Sequence, residues 1–196
     1  MAEIGIATPV VFRKITRNVS YRSDESYHEL RSAHHAVVTK SSARRRLMRT
    51  YDLNRTGYLE REELVSLLTD MNKGTPTEQE VDFIFSMSGS EGVSEDDLEN
   101  AVAYFTTYLA MKARLTADLQ KFDVSHTGSL SRDELAEYLR YLSDGGTVTD
   151  AELDMVFRES DVLQDGKIHQ PELLKALSVW YLYLEQPSSS DSCLCS

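Results

Sequence analysis

The chain is poor in cysteine, proline, glycine and tryptophan, with 2, 4, 9 and 1 among 196 residues. Both cysteines, Cys193 and Cys195, fall within the last four positions. A disulfide framework is therefore excluded for the body, and this usage fits a reducing compartment. So little Gly and Pro disfavours a turn-rich β fold and favours helix. No run of about 18 apolar residues occurs, so no helix is expected to span a membrane. The N-terminus is charged early and lacks a long apolar stretch, so no secretory signal is expected and the location expected is cytoplasmic. Positive charge is concentrated at the start. Residues 1–50 hold 10 Lys/Arg against 4 Asp/Glu, and the rest holds 11 against 28. A basic arm thus precedes an acidic body, which disfavours nucleic acid and favours cations or basic partners.

What the sequence does contain is a repeat. "DLNRTGYLEREE" at Asp52 returns as "DVSHTGSLSRDE" at Asp123 and "DVLQDGKIHQPE" at Asp161. "SMSGSEGVSEDD" at Ser86 fits the same frame poorly. The four starts lie 34, 37 and 38 residues apart, the mark of a repeated supersecondary unit. Each stretch is flanked by segments whose apolar residues recur three or four places apart, such as "ARRRLMRTY", "EQEVDFIF", "ELAEYLRYL" and "AELDMVFRES". That spacing predicts helices. Thr77 with Glu80, and Thr149 with Glu152, have the capping-box spacing that satisfies free N–H groups at a helix start. "NKGTP" and "SDGG" break the chain between units. No strong breaker lies between Val93 and His126, so the helix leaving the second stretch is expected to run into the helix entering the third.

Inside the stretches at Asp52 and Asp123, short oxygen-bearing side chains stand at alternate places, a glycine at the sixth and a carboxylate at the twelfth. A hard divalent cation such as Ca²⁺ takes six to eight oxygens, and a tight loop supplies them when alternate side chains point inward. Glycine at the sixth place permits the sharp turn. A backbone carbonyl serves at the seventh, and a glutamate at the twelfth reaches the ion with both oxygens. On these residues the chain resembles the calmodulin-like EF-hand family from about Ala43 to Leu184. The resemblance implies an all-α fold of two EF-hand lobes. Each lobe pairs two helix–loop–helix units through a short antiparallel β-bridge, with the interlobe helix continuous. The corresponding boundaries are a basic arm over 1–42, hands one and two over 43–110, hands three and four over 111–186, and a tail over 187–196.

The loops differ in quality. Loop one offers Asp52, Asn54, Thr56, the Tyr58 carbonyl, Glu60 and Glu63. Loop three offers Asp123, Ser125, Thr127, the Ser129 carbonyl, Ser131 and Glu134, with only two carboxylates and so a weaker affinity. Loop four keeps Asp161, Asp165, the Lys167 carbonyl and Glu172, but Leu163 supplies no oxygen at the third place. His169 reads as solvated there, and Pro171 suits a helix start. Loop two has Ser86 for the first Asp, Gly92 one place late and Asp97 at the end; it is expected to bind nothing and to pair structurally, Val93 with Leu59, as Leu130 would with Ile168. Ca²⁺ is the expected ion, with Mg²⁺ a competitor at the same loops.

The leading functional expectation is a Ca²⁺ sensor that takes an amphipathic helix of a target protein in an apolar groove. A constitutive light-chain-like subunit and a Ca²⁺ buffer are the alternatives. No phosphate-cradling glycine loop or nucleophile–base arrangement suggests an enzyme. The last helix carries Trp180, Tyr181 and Leu184 past the length one lobe needs, either as core or as a plug for its own groove. "RRR" at 44–46 reads as the wet face of the first helix. The arm is either a mobile tail or a basic–apolar segment for an acidic groove or anionic membrane. "CLCS" has the form of a prenylation signal at Cys193, against a plain tail with free thiols.

Overall fold

The computed structural model describes residues 41–88 and 92–184. The basic arm up to residue 40 and the tail with Cys193 lie outside the described residues. Where the apolar spacing is helical, helices form. In chain order the elements are α1 (Ser41–Tyr51), β1 (Tyr58–Leu59), α2 (Arg61–Asn72), α3 (Glu78–Ser86), β2 (Val93–Ser94), α4 (Glu95–Phe122), β3 (Ser129–Leu130), α5 (Arg132–Leu142), α6 (Asp150–Ser160), β4 (Ile168–His169) and α7 (Gln170–Leu184). Both expected capping boxes are present. Thr77 accepts the N–H of Glu80 at 3.2 Å and Glu80 accepts that of Thr77 at 2.8 Å. Thr149 and Glu152 do the same for α6. Helix α4 is unbroken over 28 residues, as the missing breaker required.

Each lobe closes through one antiparallel bridge of two residue pairs. Leu59 faces Val93 in the first, and Leu130 faces Ile168 in the second. All four are fully buried. Because each is the eighth residue of its loop, the bridges fix the loops of a lobe side by side. Gly92 is required for this approach rather than for the turn. A Cβ there would lie 2.6 Å from the Leu59 carbonyl oxygen, and its φ of +133° is one side chains avoid. Ser86 ends α3 instead of opening a loop.

The core is continuous from one lobe to the other, running through Phe83, Phe105, Tyr108, Tyr138 and Trp180. Helix α7 packs on α6 and α4 and also touches α3 of the first lobe. Trp180 is 1% exposed and Tyr181 8%, whereas Leu184 is 51% exposed, so the apolar stripe is buried only through Tyr181. The "RRR" reading needs correction at its first member. Arg44 is half-buried and reaches Asp96 and Glu99 on α4, at 3.6 and 3.4 Å. Arg45 and Arg46 are exposed as expected. Among the described residues, no helix is long and apolar enough to cross a membrane.

Candidate metal centre

Loops one, three and four share a backbone shape. The fourth place is left-handed at Arg55, His126 and Gln164, with φ of 61°, 54° and 57°. The sixth is Gly57, Gly128 and Gly166, with φ of 86°, 79° and 77°. Open space surrounds these three glycines, so they are needed for backbone conformation alone. This double reversal curls the loop and turns successive N–H groups toward the first carboxylate. Asp52 accepts the N–H of Thr56 at 3.1 Å and of Gly57 at 3.0 Å. Asp123 accepts those of Thr127 and Gly128 at 2.9 and 2.7 Å. Asp161 accepts those of Asp165 and Gly166, both at 3.1 Å.

The twelfth place closes the curl from the other side. Glu63 reaches back across its loop to the N–H of Leu53 at 2.8 Å and holds that of Glu60 at 3.0 Å. Glu134 takes the N–H of Ser125 and of Ser131, both at 2.8 Å. Glu172 takes those of Leu163 and His169 at 2.9 and 2.8 Å. In loops one and three the remaining oxygens turn toward one another. Asn54 Oδ1 accepts the N–H of Thr56 at 3.2 Å. The Thr56 hydroxyl donates to the Tyr58 carbonyl at 3.0 Å, and the Thr127 hydroxyl to the Ser129 carbonyl at 3.1 Å. Ser125 donates to Asp123 at 3.2 Å. The donor set therefore fits a hard cation. Among the described residues no three carboxylate, imidazole or thiol groups gather at one point, so each cage depends also on hydroxyl, amide and carbonyl oxygen.

Place nine does a second job. Glu60 is the N-cap of α2, and Ser131 is the N-cap of α5, donating its hydroxyl to Glu134 at 2.8 Å. The closing carboxylate and the helix start are thus built together, a link the sequence frame alone did not display.

Loops two and four depart from this plan in different ways. Asp97 turns to the hydroxyl of Ser94, the N-cap of α4, and among the described residues has no bond to Ser86, Met87 or Ser88. A side chain one methylene shorter than Glu stays at its own helix. In loop four Glu172 does reach back, but Leu163 contributes only its N–H. His169, expected to be solvated, is half-buried, and its Nε2 lies 2.7 Å from Asp165 Oδ2.

Electrostatics separates loops three and four further. Burial works to raise Glu134, but the N–H groups of Ser131 and Ser125 outweigh it and hold the carboxyl at about 2. Burial likewise opposes ionisation of Asp123. There the N–H groups of Thr127 and Gly128 prevail against both burial and the nearby Glu134 charge, leaving its pKa below the usual range. At Glu172 burial wins: two backbone N–H bonds do not compensate for a side chain with no exposure, and its pKa is raised. A divalent ion would remove that cost by pairing the charge.

The comparisons with known proteins agree with this geometry. Residues 113–178 match the family described as the EF-hand domain pair, which covers hands three and four. Putative calmodulin-like protein 6 of Oryza sativa subsp. japonica is 28% identical over 144 residues, or 66% of this chain and 79% of that relative. With two bridged lobes and loops that fold their carboxylates inward, the chain carries an EF-hand domain pair over residues 113–178 and resembles the calmodulin-like proteins.

Proposed function

We propose that the protein is a Ca²⁺ sensor that regulates a partner protein by taking up an amphipathic helix. One observation carries this reading: each lobe has one loop with a full oxygen set and both carboxylates turned inward, loop one in the first lobe and loop three in the second. The ligands in this reading are Asp52, Asn54, Thr56, Tyr58, Glu60 and Glu63, with Asp123, Ser125, Thr127, Ser129, Ser131 and Glu134. Asp161, Asp165, Lys167 and Glu172 form a weaker third set, and Mg²⁺ competes at all of them. When bound, the cation supplies charge neutralisation. The protein's contribution is to couple that to helix position, because each closing glutamate belongs to the first turn of its helix.

Met71, Met87, Met111 and Met155 are partly buried against the core, as a groove that opens on demand requires. A constitutive light-chain-like subunit is the second reading, and the docking of α7 on the first lobe supports it, since a preclosed body clamps without calcium. Titration with Ca²⁺ while following Trp180 fluorescence and binding of an apolar dye separates these. Dye binding that appears at micromolar Ca²⁺ supports the sensor. Uptake without dye indicates a buffer, and no uptake a constitutive clamp.

A further inference from the structure

Place ten is an arginine in loops one and three, and each stays within its own lobe. Arg61 pairs with Asp82 on α3, and Arg132 with Asp150 and Asp154 on α6. In loop four, place ten is Gln170 and place eleven Pro171, and these two are held by α4, partly from its first-lobe half. Gln170 Nε2 donates to Thr116 Oγ1 at 2.6 Å and to the Lys112 carbonyl at 3.2 Å. The Tyr104 hydroxyl donates to the Pro171 carbonyl at 2.7 Å in a buried contact. The Tyr108 hydroxyl donates to Glu80 at 2.7 Å and lies 3.3 Å from Gln170 Oε1. Glu80, on α3 and 1% exposed, also pairs with Lys112 at 2.7 Å. A polar chain, buried at Tyr104, Tyr108 and Glu80 and partly buried at Gln170, therefore runs from the first lobe to the two residues directly before Glu172.

Such a chain has a defined consequence. Buried polar groups are costly to leave unpaired, so the contacts are made together or broken together. In the arrangement where Gln170 and Pro171 are fastened, Glu172 lies over its loop, bonded to the N–H of Leu163 and His169. Docked lobes and a closed fourth loop are thus features of one state. Loop three shares it, because Leu130 and Ile168 hold the two loops side by side. Anything that favours one feature of that state favours the other, and the linkage is reciprocal.

We infer that the first lobe acts as a clamp on the second: docking through Tyr104, Tyr108, Glu80 and Gln170 raises the affinity of loops three and four for a divalent cation, and metal capture there fastens the lobes. This rests on the Ca²⁺-responsive reading above.

The test uses the full chain carrying Glu63→Gln, so that calcium uptake by calorimetry belongs to the second lobe. Tyr104→Phe removes one hydroxyl and keeps the ring that lies 4.9 Å from Phe83. Gln170→Ala removes the amide. Tyr104→Phe is expected to raise the calcium Kd about three- to tenfold, the effect of one hydrogen bond, and Gln170→Ala, which removes three, at least as much. Tyr51→Phe, which loses only an exposed hydroxyl bond to Asp70, is the control and leaves Kd unchanged. Without metal, amide hydrogen exchange in the first turn of α7 should be faster in Tyr104→Phe than in Tyr51→Phe. Equal Kd and equal exchange in the two tyrosine variants would overturn the clamp. So would a Glu63→Gln chain that takes up no calcium; the sensor reading survives that result if the parent binds calcium at loop one, and falls if the parent binds none.

Discussion

In the first lobe the second loop ends in Asp97, whose carboxylate stays with Ser94 at the start of α4. In the second lobe the corresponding Glu172 crosses its loop to Leu163, and the helix it belongs to is fastened to the other lobe. The bridge and the order of helices are otherwise alike. A closing carboxylate one methylene shorter, a first place that is Ser86 rather than Asp161 and a glycine shifted to Gly92 thus separate a hand kept for pairing from one still shaped to close. The lesson is that a degenerate hand is defined by where its last carboxylate goes, rather than by how many ligands it has lost.

The comparison can be strained first at the equivalent core positions. Trp180 and Phe105 each lie eight residues after the closing carboxylate, and each is 1% exposed. Truncation to alanine should cost about 3–5 kcal/mol at either site by denaturant unfolding, while Leu184→Ala at the exposed end of α7 should cost under about 0.5 kcal/mol. A small loss at Trp180 alone would mean that α7 is not part of the shared core.

A smaller effect tests the bridges. Gly92→Ala must displace the Leu59 carbonyl, and about 2–3 kcal/mol is expected. Gly57→Ala strains only its own backbone, at about 1 kcal/mol. Reversal of that order in thermal melts would show that the first lobe does not close as described.

Glu80 supplies the pH test. Burial opposes its charge, but Lys112, the Tyr108 hydroxyl and the Thr77 N–H prevail and leave its pKa below the ordinary glutamate value of 4.5. A lowered folded pKa contributes stability that is present above the unfolded value and is lost as pH falls through the folded one. Parent stability should therefore drop between about pH 5 and pH 3, and Glu80→Gln, less stable at neutral pH, should drop less over that range. Parallel curves would mean that Glu80 is not held as a buried anion. The smallest effect is shared by the lobes: Thr77→Ala and Thr149→Ala should each cost about 1 kcal/mol in the same unfolding assay.

Much of this was legible in the sequence because it depends on local spacing. The alternate oxygens, the sixth-place glycines, the Thr77 and Thr149 boxes, the Leu59–Val93 and Leu130–Ile168 pairs and the unbroken α4 all follow from residues a few places apart. Most of what escaped depends on contacts between distant residues, the His169–Asp165 pair being the local exception. Tyr104 meets Pro171 at a separation of 67 residues, and Tyr108 meets Glu80 at 28. A tyrosine on a helical stripe reads as core whether or not its hydroxyl has a partner. His169 read as solvated because nothing in the frame placed Asp165 beside it, and Arg44 because its partners sit on α4. The one local hint was the change from Arg61 and Arg132 to Gln170 at place ten, which removes a surface ion pair and leaves an amide suited to burial.

The most direct measurement is calcium calorimetry on the full chain, beside Glu63→Gln, Glu134→Gln, the double variant and Asp97→Asn. Each glutamine should lower affinity at its own loop by about tenfold or more, roughly 1.4 kcal/mol per decade, the double variant should lose most of the heat, and Asp97→Asn should match the parent. A parent without calcium heat, or a double variant indistinguishable from it, would contradict the account of one working cage in each lobe.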